Sequence, residues 1–214
     1  MRILSINVSE PKTVSYKGKN VTTGIYKKPL QGSVSLREAN IDGDKQVDLK
    51  NHGGLDKAVY AFPYEHYAFY HEHLGQGSYE YGEFGENLTT EGLVESSVHI
   101  GDQFQIGTSI IEVSQPRAPC FKLAMKMGTP KVVRFMLDSG KTGFYFRVIG
   151  EGLIEAGEVK RVFKNEAAQS VEEIHNLMFF EIINVRELKR ALLNPALGQS
   201  LQDEFSKRLE NLND

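Results

Sequence analysis

Phe104-Gln105-Ile106-Gly107-Thr108-Ser109-Ile110-Ile111-Glu112-Val113-Ser114 decides how the fold is read. Two short runs rich in apolar and β-branched residues, Phe104 to Ile106 and Ser109 to Ser114, flank Gly107-Thr108. That spacing predicts a β-hairpin with a two-residue turn. Similar short runs recur on both sides. Towards the N-terminus they are Ile3 to Val8, Val14 to Tyr16, Val21 to Ile25, Ser33 to Leu36, Ala58 to Ala61 and Val98 to Ile100. Towards the C-terminus they are Phe144 to Ile149 and Glu158 to Phe163. Lys17-Gly18-Lys19-Asn20 marks a turn between the second and third of them. Many short strands separated by glycine-rich turns predict a closed or nearly closed barrel.

Helical patterns interrupt the strands at Tyr64 to Leu74, Cys120 to Met127 and Pro130 to Leu137. The last begins with proline in the first turn, where its missing N–H costs nothing. After about Lys164 the pattern changes. Ser170-Val171-Glu172-Glu173 is a capping box, and Asn184-Val185-Arg186-Glu187 a looser one. Ser200 before Asp203 is a weaker start signal. Apolar residues then follow at helical spacing: Ile174, Leu177 and Met178; Leu188, Ala191 and Leu192; Leu201, Phe205 and Leu209. The chain therefore reads as mainly β with α, a β-barrel over residues 1–164 and a bundle of three short helices over 165–214.

Composition narrows the chemistry. The 214 residues carry a formal net charge of −3, which argues against a nucleic-acid polymer as partner, so any basic site must be local. One cysteine excludes an intrachain disulfide and a cluster held by this chain's own cysteines. Electrons for any redox work must come from another molecule. No stretch approaches the ~18 apolar residues of a membrane span, and the first six residues are too short an apolar run for a signal peptide, so a cytoplasmic location is expected.

Three segments could carry chemistry. Gln115-Pro116-Arg117-Ala118-Pro119-Cys120-Phe121-Lys122 follows a strand and opens a helix. Its two prolines stiffen the loop, and Arg117 and Lys122 would favour a thiolate at Cys120, a soft ligand for a metal. By residue type alone, a small buried apolar cysteine is the favoured reading, and the flanking prolines and cations bring the two readings level. In Asp48-Leu49-Lys50-Asn51-His52-Gly53-Gly54, paired glycines let backbone amides approach an anion, with Lys50 and His52 as charge or donors; a plain turn is the alternative. The third, Gly82 to Gly92, offers Asn87 as a hydrogen-bonding amide within what otherwise reads as a loop. Arg147 lies in a strand and could face a barrel mouth or solvent. His66, His71 and His73 lack metal-binding spacing.

In order, Thr23-Gly24-Ile25-Tyr26-Lys27, Asp48 to Tyr60, Phe84-Gly85-Glu86-Asn87-Leu88-Thr89, Ile100-Gly101-Asp102 and Gln115-Pro116-Arg117-x-Pro-Cys120 resemble the MOSC family, the molybdenum-cofactor sulfurase C-terminal domain. The likeness is strongest to its bacterial YiiM-like branch, which is similar to 6-hydroxylaminopurine reductases. The resemblance implies a MOSC-type, mostly antiparallel β-barrel with a three-helix (3-alpha) appendage. It implies that Cys120 ligates molybdenum beside the dithiolene of molybdopterin, with Arg117 near the metal. Lys50, His52, Gly53 and Gly54 would follow the pterin or its phosphate, with Asn87 and Arg147 as further contacts. The implied activity is reduction of small N-hydroxylated compounds such as N-hydroxylated purine bases. An external flavin or iron–sulfur reductase would supply electrons to a monomer or homodimer. Two alternatives stay open: a carrier of molybdenum cofactor or sulfur using Cys120, and a non-catalytic barrel that takes pyridoxal phosphate, although no lysine has a Schiff-base context.

Overall fold

The computed structural model describes residues 1–47, 53–75 and 77–213. The first strands are β1 (Arg2–Val8), β2 (Lys12–Tyr16), β3 (Lys19–Thr23), β4 (Lys28–Leu30), β5 (Val34–Leu36) and β6 (Val59–Pro63). Helix α1 (Tyr67–Leu74) precedes β7 (Leu88–Glu91), β8 (Gln103–Ile106) and β9 (Ser109–Pro116). Helices α2 (Phe121–Lys126) and α3 (Lys131–Ser139) lead to β10 (Phe144–Gly150), β11 (Gly152–Ile154), β12 (Gly157–Glu158) and β13 (Lys160–Phe163). The chain ends in α4 (Val171–Phe179), α5 (Val185–Leu192) and α6 (Gln199–Asn213).

Among the described residues one sheet runs in the order β12-β1-β7-β6-β10-β9-β8-β13, with β4 also on β1. Its two ends, β12 and β13, are separated in the chain by Val159 alone. The sheet must therefore curl until its ends meet, and the chain itself turns the corner. The pairings are antiparallel except β6 with β7, which α1 connects as a crossover. The predicted hairpin is present as β8 and β9, with Ile106 opposite Ser109. The Lys17–Gly18 turn joins β2 to β3, which among the described residues pair only with each other.

Capping explains the C-terminal helices. The Ser170 hydroxyl accepts the Glu173 amide while the Glu173 carboxylate accepts the Ser170 amide, a reciprocal box. Asn184 caps α5 by accepting the Glu187 amide. Arg208 of α6 donates to the carbonyls of Leu177 and Met178, satisfying acceptors that the end of α4 leaves open. One aliphatic core runs from the sheet (Ile111, Val113, Phe146) into these helices (Ile174, Leu188, Phe205). A second, aromatic core lies under α1 to α3 and contains Tyr60, Phe62, Tyr70 and Phe84. No helix among the described residues is long and apolar enough to cross a membrane.

Four expectations need correction. Val98 to Ile100 is not a strand: Val98 accepts the Val171 amide and Ile100 donates to Gln169, so this apolar run docks the start of α4 instead. The run from Glu158 to Phe163 splits at Val159 because it serves both sheet ends. Val21 to Ile25 stops as a strand at Thr23. Leu88–Glu91, read as loop, is a central strand whose Thr89 and Thr90 are buried beside Leu88. A strand enclosed on both faces shows no polar–apolar alternation, and threonine hides its burial in a sequence.

Candidate functional site

The site begins where β9 ends. Arg117 is 6% exposed, and its amide donates to the Gly143 carbonyl at 3.1 Å, which ties the loop to the start of β10. Gly143 has φ +68, and a Cβ there would meet the Ala61 carbonyl at 2.2 Å, so the close approach needs glycine. The Arg117 guanidinium lies over the Tyr60 ring at 4.5 Å and donates through Nη1 to Tyr60 Oη and the Phe84 carbonyl, both at 2.8 Å. Tyr60 in turn donates to the Thr142 carbonyl at 2.7 Å. Burial works against the Arg117 charge, but Tyr60, Tyr145 and Cys120 more than offset it and hold its pKa above the ordinary guanidinium range. Burial pushes the Tyr60 and Tyr145 hydroxyls up, so both stay protonated. The result is a fixed cation in an aromatic wall.

Cys120 is the N-cap of α2, extended at φ −135° and ψ 172°, and is half-buried. It lines a cleft that holds about 690 Å³ of empty space and runs out into solvent. Arg117, Lys122, Tyr145, Lys57 and Lys27 line the same cleft. Among the described residues its walls carry Lys27, Lys45, Lys57, Arg117 and Lys122 against one carboxylate, Asp44. In a chain with a net charge of −3, that is a local site for an anion. No group of three or more His, Cys, Asp or Glu among the described residues could hold a metal ion. A metal on Cys120 would therefore have to bring most of its ligands with it.

The opposite wall is a buried polar lattice. Lys27 Nζ meets Asp44 Oδ1 at 2.5 Å, and burial lowers the lysine's pKa although Asp44 partly restores it. Asp44 also accepts the Ser9 amide at 2.9 Å and the Asn87 side chain at 2.9 Å. Further in, Glu86 accepts the Gly82 amide (2.9 Å), the Phe84 amide (3.0 Å), the Thr89 hydroxyl (2.9 Å) and the Tyr67 hydroxyl. Four donors on one carboxylate make this a rigid support for the Gly82–Asn87 turn.

The structure brings Cys120, Arg117 and Asn87 to the cleft, but Asn87 holds the fold there. Its Oδ1 accepts the Tyr60 amide, and its Nδ2 donates to Asp44 and to the Asn7 carbonyl. Both amide hydrogens are thus committed to protein, and Asn87 positions the wall rather than offering donors to a ligand. Arg147 is not in the cleft. It pairs with Asp56 (2.7 Å) and Glu112 (2.8 Å), and Asp56 also accepts the Gln199 amide at the start of α6. It is a strut between the sheet and the C-terminal helices. Gly53 and Gly54 do not line the cleft; Gly54, at φ +94, precedes a short 3-10 turn and donates its amide to Gln46. Lys50 and His52 lie outside the described residues. Sequence reasoning missed Lys27, Asp44, Tyr60 and Tyr145. Lys27 closes the quoted Thr23–Lys27 segment, but nothing in the chain says that it is buried beside an aspartate.

Comparisons with known proteins agree with this layout. The model of the "MOSC domain" family matches residues 48–160. The chain is 41% identical over 211 residues to the uncharacterized protein YflK of Bacillus subtilis, covering 98% of this chain and 95% of that protein. It superimposes on the crystal structure of YiiM from Geobacillus stearothermophilus with a TM-score of 0.84 at 37% identity, covering 97% and 98% of the two chains. A protein of Gibberella moniliformis named "Reductase" is 33% identical over 144 residues, which are 66% of this chain but 26% of that protein.

Proposed function

Since this chain belongs to the MOSC domain family, in its YiiM-like branch, we propose that it is a cytoplasmic oxidoreductase that holds a molybdenum cofactor through Cys120. Its substrates are small N-hydroxylated compounds such as N-hydroxylated purine bases. The observation that carries this reading is the pairing, in one cleft, of a half-buried cysteine with a surplus of cations and a locked arginine. Such a donor set fits a large anionic cofactor that supplies its own metal ligands. It does not fit a bare ion. The protein named "Reductase" adds weight to the redox class.

When bound, the cofactor supplies a two-electron centre able to take oxygen from an N–OH group, and the protein supplies place and charge. Cys120 would be the protein's bond to the metal, aimed by its extended N-cap conformation and by Pro119 before it. Arg117 cannot swing away, because Tyr60 and Phe84 hold it, so it keeps positive charge beside the sulfur. Lys57 and Lys122 line the cleft and would hold the anionic parts of the ligand. Lys27, on the inner wall, can hold a proton or share it with Asp44. Electrons come from a separate flavin or iron–sulfur reductase, since one cysteine supports no cluster here.

Protein made in molybdate-replete cells should contain close to one molybdenum per chain, and Cys120→Ala should lose both the metal and N-hydroxylated base reduction. Compared as cofactor-free proteins, variant and parent should differ in stability by no more than about 1 kcal/mol, because a half-buried cysteine carries little packing. Undiminished metal and activity in Cys120→Ala would end the ligand assignment. A persulfide on Cys120 in protein that binds no molybdenum would favour a sulfur carrier instead.

A further inference from the structure

We propose that the β2–β3 hairpin and the start of α2 form a cationic collar beside the mouth of the Cys120 cleft, on which an acidic electron-carrier protein docks. The docking stands on charge and geometry; only the delivery of electrons rests on the reductase reading. Residues 9–28 and 117–131 together hold nine of the chain's 25 Lys and Arg but one of its 28 Asp and Glu. The other 16 cations are outweighed by 27 acids. Of the nine, Lys27, Arg117 and Lys126 are enclosed in or beside the cleft wall, so the collar's surface charge is that of Lys12, Lys17, Lys19, Lys28, Lys122 and Lys131.

The fold brings those segments together at the site. Thr23 and Gly24, at the base of the hairpin, line the cleft. At the hairpin's other end Tyr16 stacks on Phe121, with ring centroids 6.4 Å apart and planes 24° from parallel. Phe121 directly follows Cys120 and is 52% exposed, so the collar adjoins the sulfur that the carrier must serve. Lys12, Lys17, Lys19 and Lys28 are exposed. None of the four makes an ion pair among the described residues, whereas Arg134, Arg147, Arg190 and Arg208 elsewhere all do.

Charge complementarity chooses the occupant. Unneutralised surface charge steers an oppositely charged partner and weakens quickly with salt, as a transient electron carrier requires. The cofactor does not need the hairpin lysines, because the cleft has its own cations. A membrane is less suited, because the tip, Lys17-Gly18-Lys19-Asn20, offers no apolar side chain to insert.

The test is the triple variant Lys12→Glu, Lys17→Glu, Lys19→Glu, with the triple arginine variant as a control for charge. Binding of an acidic flavodoxin and of an acidic [2Fe–2S] ferredoxin is titrated at low and high salt. At least one should bind the native protein in a salt-sensitive way, with affinity lost by about tenfold or more in the glutamate variant and retained in the arginine variant. Molybdenum content and turnover with dithionite should not change. Equal binding by all three proteins, or none by the native protein, overturns the proposal. So does a stronger response to phosphatidylserine vesicles or duplex DNA, or loss of molybdenum from the glutamate variant. If the binding contrast holds while dithionite drives no turnover in native protein, the collar stands and the reductase reading falls.

Discussion

The two cores of this molecule are built differently. The one between the sheet and α4 to α6 is largely aliphatic: Ile111, Val113, Ile174, Leu188 and Leu201 meet there with Phe205, and none of these side chains carries a polar group. The one beneath the cleft is aromatic, and its tyrosines keep their hydroxyls bonded: Tyr60 to Thr142, Tyr67 to Glu86, Tyr70 to the Lys141 carbonyl. Rings supply burial, and hydroxyls supply fixed polar points within it. An aliphatic core stabilises without directing anything. The aromatic core also aims a cation, because Arg117 rests on Tyr60, which is itself anchored. Stability and chemistry are thus assigned to different halves, and substitutions can test that division.

Phe205→Ala should have the largest effect on stability, about 3–5 kcal/mol, since the ring is fully buried and its loss leaves a cavity. Urea denaturation would measure it, and metal bound per folded molecule should stay at the parent value. A drop in metal content at full folding would join the two halves again. Tyr60→Phe should cost less, about 1–3 kcal/mol, because the Thr142 carbonyl loses its donor and Arg117 one acceptor. Its functional cost should be far greater than that of Phe205→Ala when both are assayed well below their melting points. Similar turnover in the two variants would break the comparison.

The smallest effect concerns pH. His175 on α4 donates from Nε2 to the Leu137 carbonyl at 2.9 Å, while Nδ1 is buried without a partner among the described residues. Burial lowers its pKa, so the native state resists a proton that the unfolded chain accepts near pH 6.5. Unfolded chains then bind more protons than native ones, and stability must fall as pH drops below about 6.5 until the native pKa is reached. The slope from this one group cannot exceed about 1.4 kcal/mol per pH unit. His175→Gln should flatten the stability profile across that window, and an unchanged slope would assign the acid sensitivity to other groups.

Much of the architecture was legible because local signals coincide with local structure. The turn at Gly107-Thr108, the capping box at Ser170 and the asparagine cap at Asn184 act within four residues, and each stands where it was read. Leu88–Glu91 and Val98 to Ile100 were misread for a common reason: their environment comes from distant segments, one strand enclosed by β1 and β6, the other run docked on α4. Of the site, Cys120 and Arg117 were visible as a stiff loop between a strand and a helix. Asn87 and Arg147 were visible as residue types, but not as a clamp and a strut.

The sequence by itself determined the strand-rich body, the three C-terminal helices (two of them capped as read), the single thiol and the family to which the chain belongs, since these depend on neighbours in the chain or on an ordered set of short motifs. Only the tertiary structure decided which charges are buried, which are paired and which face the cleft. Lys27 and Lys28 are adjacent in sequence, yet one is sealed against Asp44 and the other is exposed on β4. The energy of a charge depends on the dielectric and the partners around it, and those arise only once remote segments have packed together.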